Sequence, residues 1–316
     1  MRRYLPVFII LLALFITGTS LVFARGLSQD NAALVEGAQL YDKWYAALGE
    51  SAPDGDMPLW SRQTTNSRSG ADTWRCSECH GWDYKGNQGA YASGSHFTGF
   101  PSLMVVVPGL TNEEIVAHLQ GANDPGHDFS AYLDQASMEK LAVFLKEGLI
   151  DDSIYIDSVS LQVIDGDVEH GRELYAQTCV PCHGEDGKMI VFRTEGVDEY
   201  LGAVADRDPF RFLHRTRFGV AGTEMPVGYD LGWSAADGRD VLAYAQTLPT
   251  GAETETPVPG SEISEPGPQV GGPGNNLWSG ILTAIAAFFA TFGSALLFLA
   301  VLVAVVVVVV RVLRRR

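Results

Sequence analysis

The chain has 316 residues, enough for two modest domains and additional segments, and its formal net charge at pH 7 is −16. Its 38 acidic residues all lie between residues 25 and 276, together with 16 basic residues. This charge makes nucleic acid and anionic lipid surfaces unfavourable partners and favours a basic protein face, although an acidic surface also serves simply to keep a protein soluble.

The first 24 residues are typical of an export signal. Two arginines precede a long apolar run, which ends at Ala24 with modest side chains at the positions that a signal peptidase recognises. An uncleaved membrane anchor is the alternative, because residues 4–24 are nearly long enough to span a bilayer. We adopt the cleaved signal, which predicts that the following residues lie outside the cytoplasm.

Residues 31–150 form the first predicted domain. Its opening helix contains "EGAQLYDKWY", and its closing helix, residues 137–148, is amphipathic, with Ser137 as the expected cap and Gly148 as the stop. An insertion at residues 42–75 separates the opening helix from the first pair of cysteines. The insertion is rich in turn formers but holds three tryptophans, a density that favours packed structure.

A second domain of similar plan is predicted at residues 167–248, after an extended linker at residues 151–166. The glycine, leucine and tyrosine in "EGAQLYDKWY" have the same spacing as those in "HGRELYAQTC" of the second half. Residues 234–249 are the predicted second closing helix, because their apolar side chains recur at helical spacing. The chain is therefore an internal repeat in which each domain has a helix at either end.

Beyond the second domain the composition changes twice. Residues 249–276 are rich in proline, glycine and glutamate, which cannot bury a core, so this segment is predicted to be a disordered tether. Residues 277–310 lack charged side chains and are long enough for a transmembrane helix. Four arginines follow in the tail, residues 311–316, and predict a single-pass protein of the cytoplasmic membrane whose C-terminus is cytoplasmic.

Two short motifs hold all four cysteines. They are "CSECHG" at residues 76–81 and "CVPCHG" at residues 179–184, and each places a histidine directly after two cysteines that are separated by two residues. This is the attachment pattern of c-type haem, in which two thiols bond one porphyrin and the histidine becomes the proximal iron ligand. We predict two covalently bound haem c groups. The attachment and proximal residues are Cys76, Cys79 and His80 for haem 1, and Cys179, Cys182 and His183 for haem 2.

Other uses of these cysteines fit the pattern less well. A zinc ribbon needs two cysteine pairs some 15–20 residues apart, whereas about 100 residues separate these pairs. A thioredoxin-like redox pair requires a βαβ context that neither motif has. Two independent disulfides suit an exported protein but leave the adjacent histidines unexplained.

With these motifs, residues 31–248 resemble the class I cytochrome c family twice over. In that family a helix precedes the haem motif, a loop supplies a distal ligand that is usually methionine, and a C-terminal helix packs on the first helix. The resemblance implies an all-α fold of two tandem cytochrome c domains, to which the sequence adds one C-terminal transmembrane helix. "GVAGTEMPVG", residues 219–228, looks like the methionine loop and makes Met225 the expected distal ligand of haem 2. A soft thioether at that position favours reduced iron.

No Met-Pro loop occurs between the first motif and its closing helix. Gly121 to His127 and Gly219 to Met225 are each six residues, counted from the glycine that is expected to end the preceding helix. His127 is therefore the predicted distal ligand of haem 1, and Asp128 is placed to orient its ring. The alternatives are His96, His118, Met104 and an iron with an open position.

The predicted function is electron transfer. A tethered dihaem head is expected to carry electrons between redox proteins, such as a membrane quinol-oxidising complex and an oxidase or reductase. If haem 1 has an open iron, the protein is instead a dihaem oxidoreductase for a small inorganic substrate. A scaffold subunit of a larger respiratory complex is a third possibility, suggested by small residues spaced along the membrane helix.

Overall fold

A computed structural model describes residues 31–194 and 197–251. The predicted export signal, the predicted transmembrane segment, the basic tail and all but the first residues of the predicted tether lie outside these ranges. Within the described ranges, no helix is both long and apolar enough to cross a membrane. The described residues belong to one unit of the chain, so contacts between its two halves are part of the fold.

The described chain is mostly helical, in agreement with the predicted all-α class. Helix α1 covers residues 31–47. The first half continues with α2 (Cys76–His80), α3 (Leu103–Val106), α4 (Asn112–Leu119) and α5 (Gln135–Val143). The second half holds α6 (Val168–Thr178), α7 (Val180–His183), α8 (Leu201–Arg207), α9 (Pro209–Phe218) and α10 (Ala235–Ala245). The sequence did not predict the antiparallel pair of strands β1 (Phe192–Thr194) and β2 (Val197–Glu199).

In each half, the opening helix crosses the closing helix at a glycine. A β-carbon added to Gly37 of α1 would lie 2.1 Å from the carbonyl oxygen of Lys140 in α5. A β-carbon added to Gly171 of α6 would lie 1.8 Å from the carbonyl oxygen of Asp240 in α10. Because real β-carbons do not approach an oxygen so closely, only glycine allows the two backbones to meet here.

Replacing Gly171 by alanine is expected to destabilise the second half. The added methyl group forces α6 and α10 apart, and such overpacking costs about 2 kcal/mol even after the better helix propensity of alanine is counted. Urea unfolding of the haem-loaded protein, followed by far-UV circular dichroism, measures this change. Glu173→Ala, at an exposed position of the same helix, is the control; an equal effect in both variants would contradict the close-crossing argument.

Both closing helices have a side-chain cap, but the first cap is not the predicted residue. Asp134 precedes α5, and its carboxylate accepts a hydrogen bond of 2.8 Å from the backbone N–H of Ser137. The expectation of a Ser137 cap is wrong, because the negative charge of Asp134 stabilises a helix that begins two residues earlier. In the second half, Ser234 and Asp237 form a capping box at the start of α10.

The insertion of the first half is folded. The first residues of the insertion belong to helix α1. Two 3-10 turns, Pro58–Arg62 and Gly70–Trp74, follow in the rest of the insertion. The indole N–H of Trp44 donates to the carbonyl of Trp74 at 2.9 Å, and that of Trp74 donates to the carbonyl of Gly55 at 3.0 Å. These buried indoles connect the two sides of the insertion and keep it against α1.

The segment between the halves packs on the second core. Ile156 is buried there and forms an isolated antiparallel bridge with Val163. The side-chain amide of Gln246, just after α10, donates to the carbonyl of Leu161 at 2.8 Å. This segment therefore lies along the second half and is held by its closing helix.

Helix α9 joins the two halves. His214 is 2% exposed, with Nδ1 2.7 Å from the Tyr84 hydroxyl and Nε2 3.1 Å from the carbonyl oxygen of Ala38, both in the first half. The halves also exchange aromatic side chains, because Phe218 packs in the first core and Trp82 in the second. Each half keeps its own hydrophobic core, and the cores meet at His214, whose ring lies 5.2 Å from that of Trp82 and 5.8 Å from that of Phe144. The separate sequence patterns of the halves do not indicate this contact.

Candidate haem-binding sites

A cavity of about 380 Å³ lies beside the first cysteine motif. Cys76, Cys79 and His80 contribute to a mostly apolar wall, which the folded insertion completes with Leu59 and Trp74. All four cysteines of the chain are free thiols, and burial raises the pKa of Cys76 to about 12. The donor set and the apolar wall therefore fit a flat, largely apolar group that is bonded through two thiols.

The residues around the two motifs make the same local contacts. The Tyr41 hydroxyl donates to the carbonyl of Gly81 at 2.6 Å, and the Tyr175 hydroxyl donates to the carbonyl of Gly184 at 2.8 Å. Both glycines directly follow the motif histidine and have a φ of 77°. In each half, a tyrosine one helical turn after the crossing glycine thus holds the end of the motif helix. This contact explains why the glycine and the tyrosine have the same spacing in both halves of the sequence.

The His80 imidazole is held in one orientation. Its Nδ1 lies 2.9 Å from the carbonyl oxygen of Pro101, and because a carbonyl only accepts, Nδ1 carries the proton. Burial lowers the pKa of His80 to about 4, so the ring is neutral at physiological pH. The lone pair is then on Nε2, which is the tautomer that a metal ligand requires. No local sequence pattern indicates this role of Pro101, which is 21 residues away from His80.

His127 lines the same cavity as His80 and has the same tautomer. Its Nδ1 is 3.1 Å from the carbonyl oxygen of His118, and burial lowers its pKa. The neighbouring Asp128 does not orient this ring, contrary to expectation: its carboxylate accepts from the backbone N–H of Ser130 at 2.8 Å, forming a local turn. A backbone carbonyl takes the orienting role instead.

The distance between the two rings suits one metal ion. The ring centres of His80 and His127 are 6.4 Å apart, and the ring planes are inclined at 80°. Two imidazoles on opposite sides of a metal have ring centres about 6.3 Å apart, from metal–nitrogen bonds of about 2.0–2.1 Å and about 1.1 Å between nitrogen and ring centre. The first site thus fits a haem iron with two histidine ligands.

The insertion also holds the loop that carries His127. The guanidinium of Arg62 makes a two-point contact with the carboxylate of Asp124, with 2.9 Å from Nη2 to Oδ1. The same carboxylate accepts from the backbone N–H of Gly126 at 3.0 Å, and a β-carbon on Gly126 would collide with Leu59. The insertion therefore fixes the loop in place, a role that no local sequence signal indicates.

The alternative ligands of haem 1 are placed differently. Either ring nitrogen of His118 lies within hydrogen-bond distance of the Asn123 side-chain nitrogen, although His118 itself lines the cavity. His96 is exposed, with its ring 6.0 Å from that of Tyr91, and Met104 packs against the first core. The His127 ring lies 6.4 Å from that of His80 between ring centres, and its role as the ligand stays a prediction.

The second motif is more open. Cys182 is exposed, and the His183 ring stacks on Phe192 with 6.3 Å between ring centres. Burial lowers the pKa of His183, and its Nδ1 is buried without a hydrogen-bond partner in the described part of the chain. The second motif therefore has a neutral imidazole beside two thiols, as haem attachment and iron ligation need. The His183 ring is held less firmly than the His80 ring, because no hydrogen bond in the described part of the chain orients it.

Met225 occupies a half-buried position in the loop after α9. Met225 is the sixth residue after Gly219, as His127 is the sixth residue after Gly121. The two glycines have the same backbone conformation, with a φ of 76° at Gly219 and 77° at Gly121. The loop runs close to α1, since a β-carbon on Gly222 would lie 2.9 Å from the carbonyl oxygen of Ala46. Ligation of haem 2 by Met225 stays a prediction.

Thiol pairs followed by neutral imidazoles, on a mostly helical fold, define the class of c-type haem proteins. No protein-family profile matches the chain. It is similar to the cbb3-type cytochrome c oxidase subunit CcoP of Rhodobacter capsulatus, with 30% identity over 184 residues, which are 55% of this chain and 55% of the relative. A further CcoP sequence from that species is 32% identical over 124 residues, 38% of each chain.

The chain spans about half the length of the curated relatives that it matches. At this coverage, the similarity supports a relationship to cytochromes c and the presence of covalent haem c. It agrees with the two cysteine motifs.

Proposed function

We propose that the protein is a dihaem c-type cytochrome that carries electrons between respiratory partners on the outer side of the cytoplasmic membrane. One observation carries the proposal: the imidazoles of His80 and His127 lie 6.4 Å apart between ring centres and line one cavity beside two thiols. A haem iron held by both His80 and His127 would have no free position for a substrate, so the site would serve electron exchange.

Each residue of the first site has a definite task. Haem, when bound, supplies an iron that accepts and releases one electron. The thiols of Cys76 and Cys79 attach the group, and the carbonyls of Pro101 and His118 keep both imidazoles in the tautomer that binds iron. In the second half we assign attachment to Cys179 and Cys182, the proximal ligand to His183 and the distal ligand to Met225.

The partners are proposed from the relatives and from charge. CcoP is, by its name, a subunit of a cbb3-type cytochrome c oxidase, so a respiratory oxidase is the proposed acceptor and a membrane quinol-oxidising complex the proposed donor. The acidic surface favours basic faces on these partners. Export, a flexible tether and the C-terminal membrane helix would keep the two haem domains, residues 31–150 and 167–248, close to both partners.

The absorption spectrum of the purified full-length protein tests this function. We expect about two haems per chain, both low-spin, and no carbon monoxide binding, because each iron would be held by two protein ligands. Carbon monoxide binding by one haem of the native protein would contradict the carrier and support the dihaem oxidoreductase, with an open iron in the first half. A Cys179→Ser, Cys182→Ser control is expected to keep haem 1 alone.

A further inference from the structure

A buried carboxylate connects the second half of the chain to the first haem site. Asp42 of α1 has a side chain that is 1% exposed. Its Oδ1 accepts from Arg75 Nη2 at 2.7 Å and from Arg215 Nη2 at 3.0 Å, and its Oδ2 accepts from Arg215 Nε at 2.8 Å. Arg215 comes from α9, so one aspartate is shared between a guanidinium of each half.

The cluster is tightly packed. The guanidinium carbons of Arg75 and Arg215 each lie 5.4 Å from the ring centre of the buried Trp82, which follows the first motif. The two arginines hold the pKa of Asp42 at about 2, against the opposing effect of burial. Asp42 therefore stays ionised at physiological pH, and its position depends on both cations.

The arginine of the first half reaches the haem cavity. Arg75 directly precedes Cys76 and lines the cavity wall. Its Nε donates to the carbonyl of Asp42 at 2.8 Å, so the carboxylate and the carbonyl of the same residue fix the guanidinium from two directions. The Nη1 of Arg75 also lies 3.5 Å from a carboxylate oxygen of Asp72 and 3.5 Å from one of Glu78. Asp42 provides the two shortest contacts, so the orientation of this buried positive charge beside the cavity depends most on Asp42.

We infer that Arg215 is a positioning residue for haem 1, although it belongs to the half of the chain that carries haem 2. It fixes Asp42, which in turn fixes the Arg75 guanidinium at the edge of the first cavity. A fixed positive charge there favours the reduced haem, since the added electron is attracted to it. Contact between the halves therefore sets the potential of haem 1. The inference rests on the proposed haem ligation of the first site.

Redox titration of the haem-loaded protein tests the inference. In Arg215→Gln we expect the equilibrium constant for reduction of haem 1 to fall about tenfold, which is about 59 mV for one electron, with haem 2 unchanged. Arg215→Lys keeps the charge but not the two-point contact, so it is expected to restore only part of the shift. Arg172→Gln, which removes an exposed ion pair with Glu169 in the same half, is the matched control.

A double-mutant cycle with Asp42→Asn identifies the route. If Arg215 acts through Asp42, Arg215→Gln has little further effect on haem 1 in the Asp42→Asn background. An equal shift in both backgrounds, full rescue by lysine, or an unchanged potential in Arg215→Gln would each overturn the inference. Haem 1 is identified as the component that His127→Met moves; if no component moves, the proposed ligation itself has failed.

Discussion

Replacing His127 by alanine is expected to open the iron of haem 1 while leaving the haem attached. The thiols of Cys76 and Cys79 and the proximal imidazole of His80 are untouched, so the haem content should not change. The His127 imidazole is removed, and the nearby wall is mostly apolar. We expect high-spin features in the spectrum and binding of about one carbon monoxide per chain, where the native protein binds none.

Two variants of the same region are the controls. His96→Ala and His118→Ala remove the other histidines between the first motif and its closing helix, and both are expected to keep the native spectrum. An open iron in either of them, with a native spectrum in His127→Ala, would refute the assignment. Because His118 also lines the cavity, the double variant His118→Ala, His127→Ala shows whether His118 replaces the missing ligand. His127→Met is expected to close the iron again at a higher potential.

The parts of the site that the sequence indicates are those fixed by local spacing. The two thiols and the histidine of each motif are adjacent in the chain, and the short helices α2 and α7 hold them together. The count that predicts His127 starts from Gly121, and the structure shows that this glycine and Gly219 both follow a helix and have nearly the same φ. The two counts therefore start from equivalent backbone positions, while ligation by His127 stays a prediction.

The parts that the sequence does not indicate depend on contacts between distant residues. Pro101 and Arg62 act on the two histidines through a carbonyl and an ion pair whose partners lie far away in the chain. The resemblance to class I cytochromes c implies the fold class but does not indicate the buried position of α9. Its sequence "PFRFLHRTRF" resembles a basic surface helix, yet His214 and Phe218 are buried, because the opposite half supplies the apolar and polar partners.

Replacing His214 by phenylalanine is expected to destabilise the protein by about 2–4 kcal/mol at pH 7. The substitution keeps a ring in the interface but leaves the buried Tyr84 hydroxyl without the partner that lies 2.7 Å away in the native protein. Urea unfolding of the haem-loaded protein measures the loss. Adding Tyr84→Phe removes the unpartnered hydroxyl as well and is expected to recover part of the stability; no recovery would mean that the cost comes from steric misfit.

The pH dependence of the stability shows whether His214 is held neutral in the folded protein. Burial, the largest cause, together with the nearby Arg217 and Arg215 lowers the pKa of His214 to about 3, although Asp42 opposes the shift. At pH values between about 3 and the ordinary pKa of 6.5, His214 is protonated in the unfolded chain but neutral in the folded chain. The native protein therefore loses stability as the pH falls through this interval. The His214→Phe variant has no imidazole at this position, so its stability does not fall in this way. The stability difference between the two proteins should therefore narrow by about 1.4 kcal/mol per pH unit below pH 6. Equal differences at pH 7 and pH 5 would show that His214 is not held neutral between the halves.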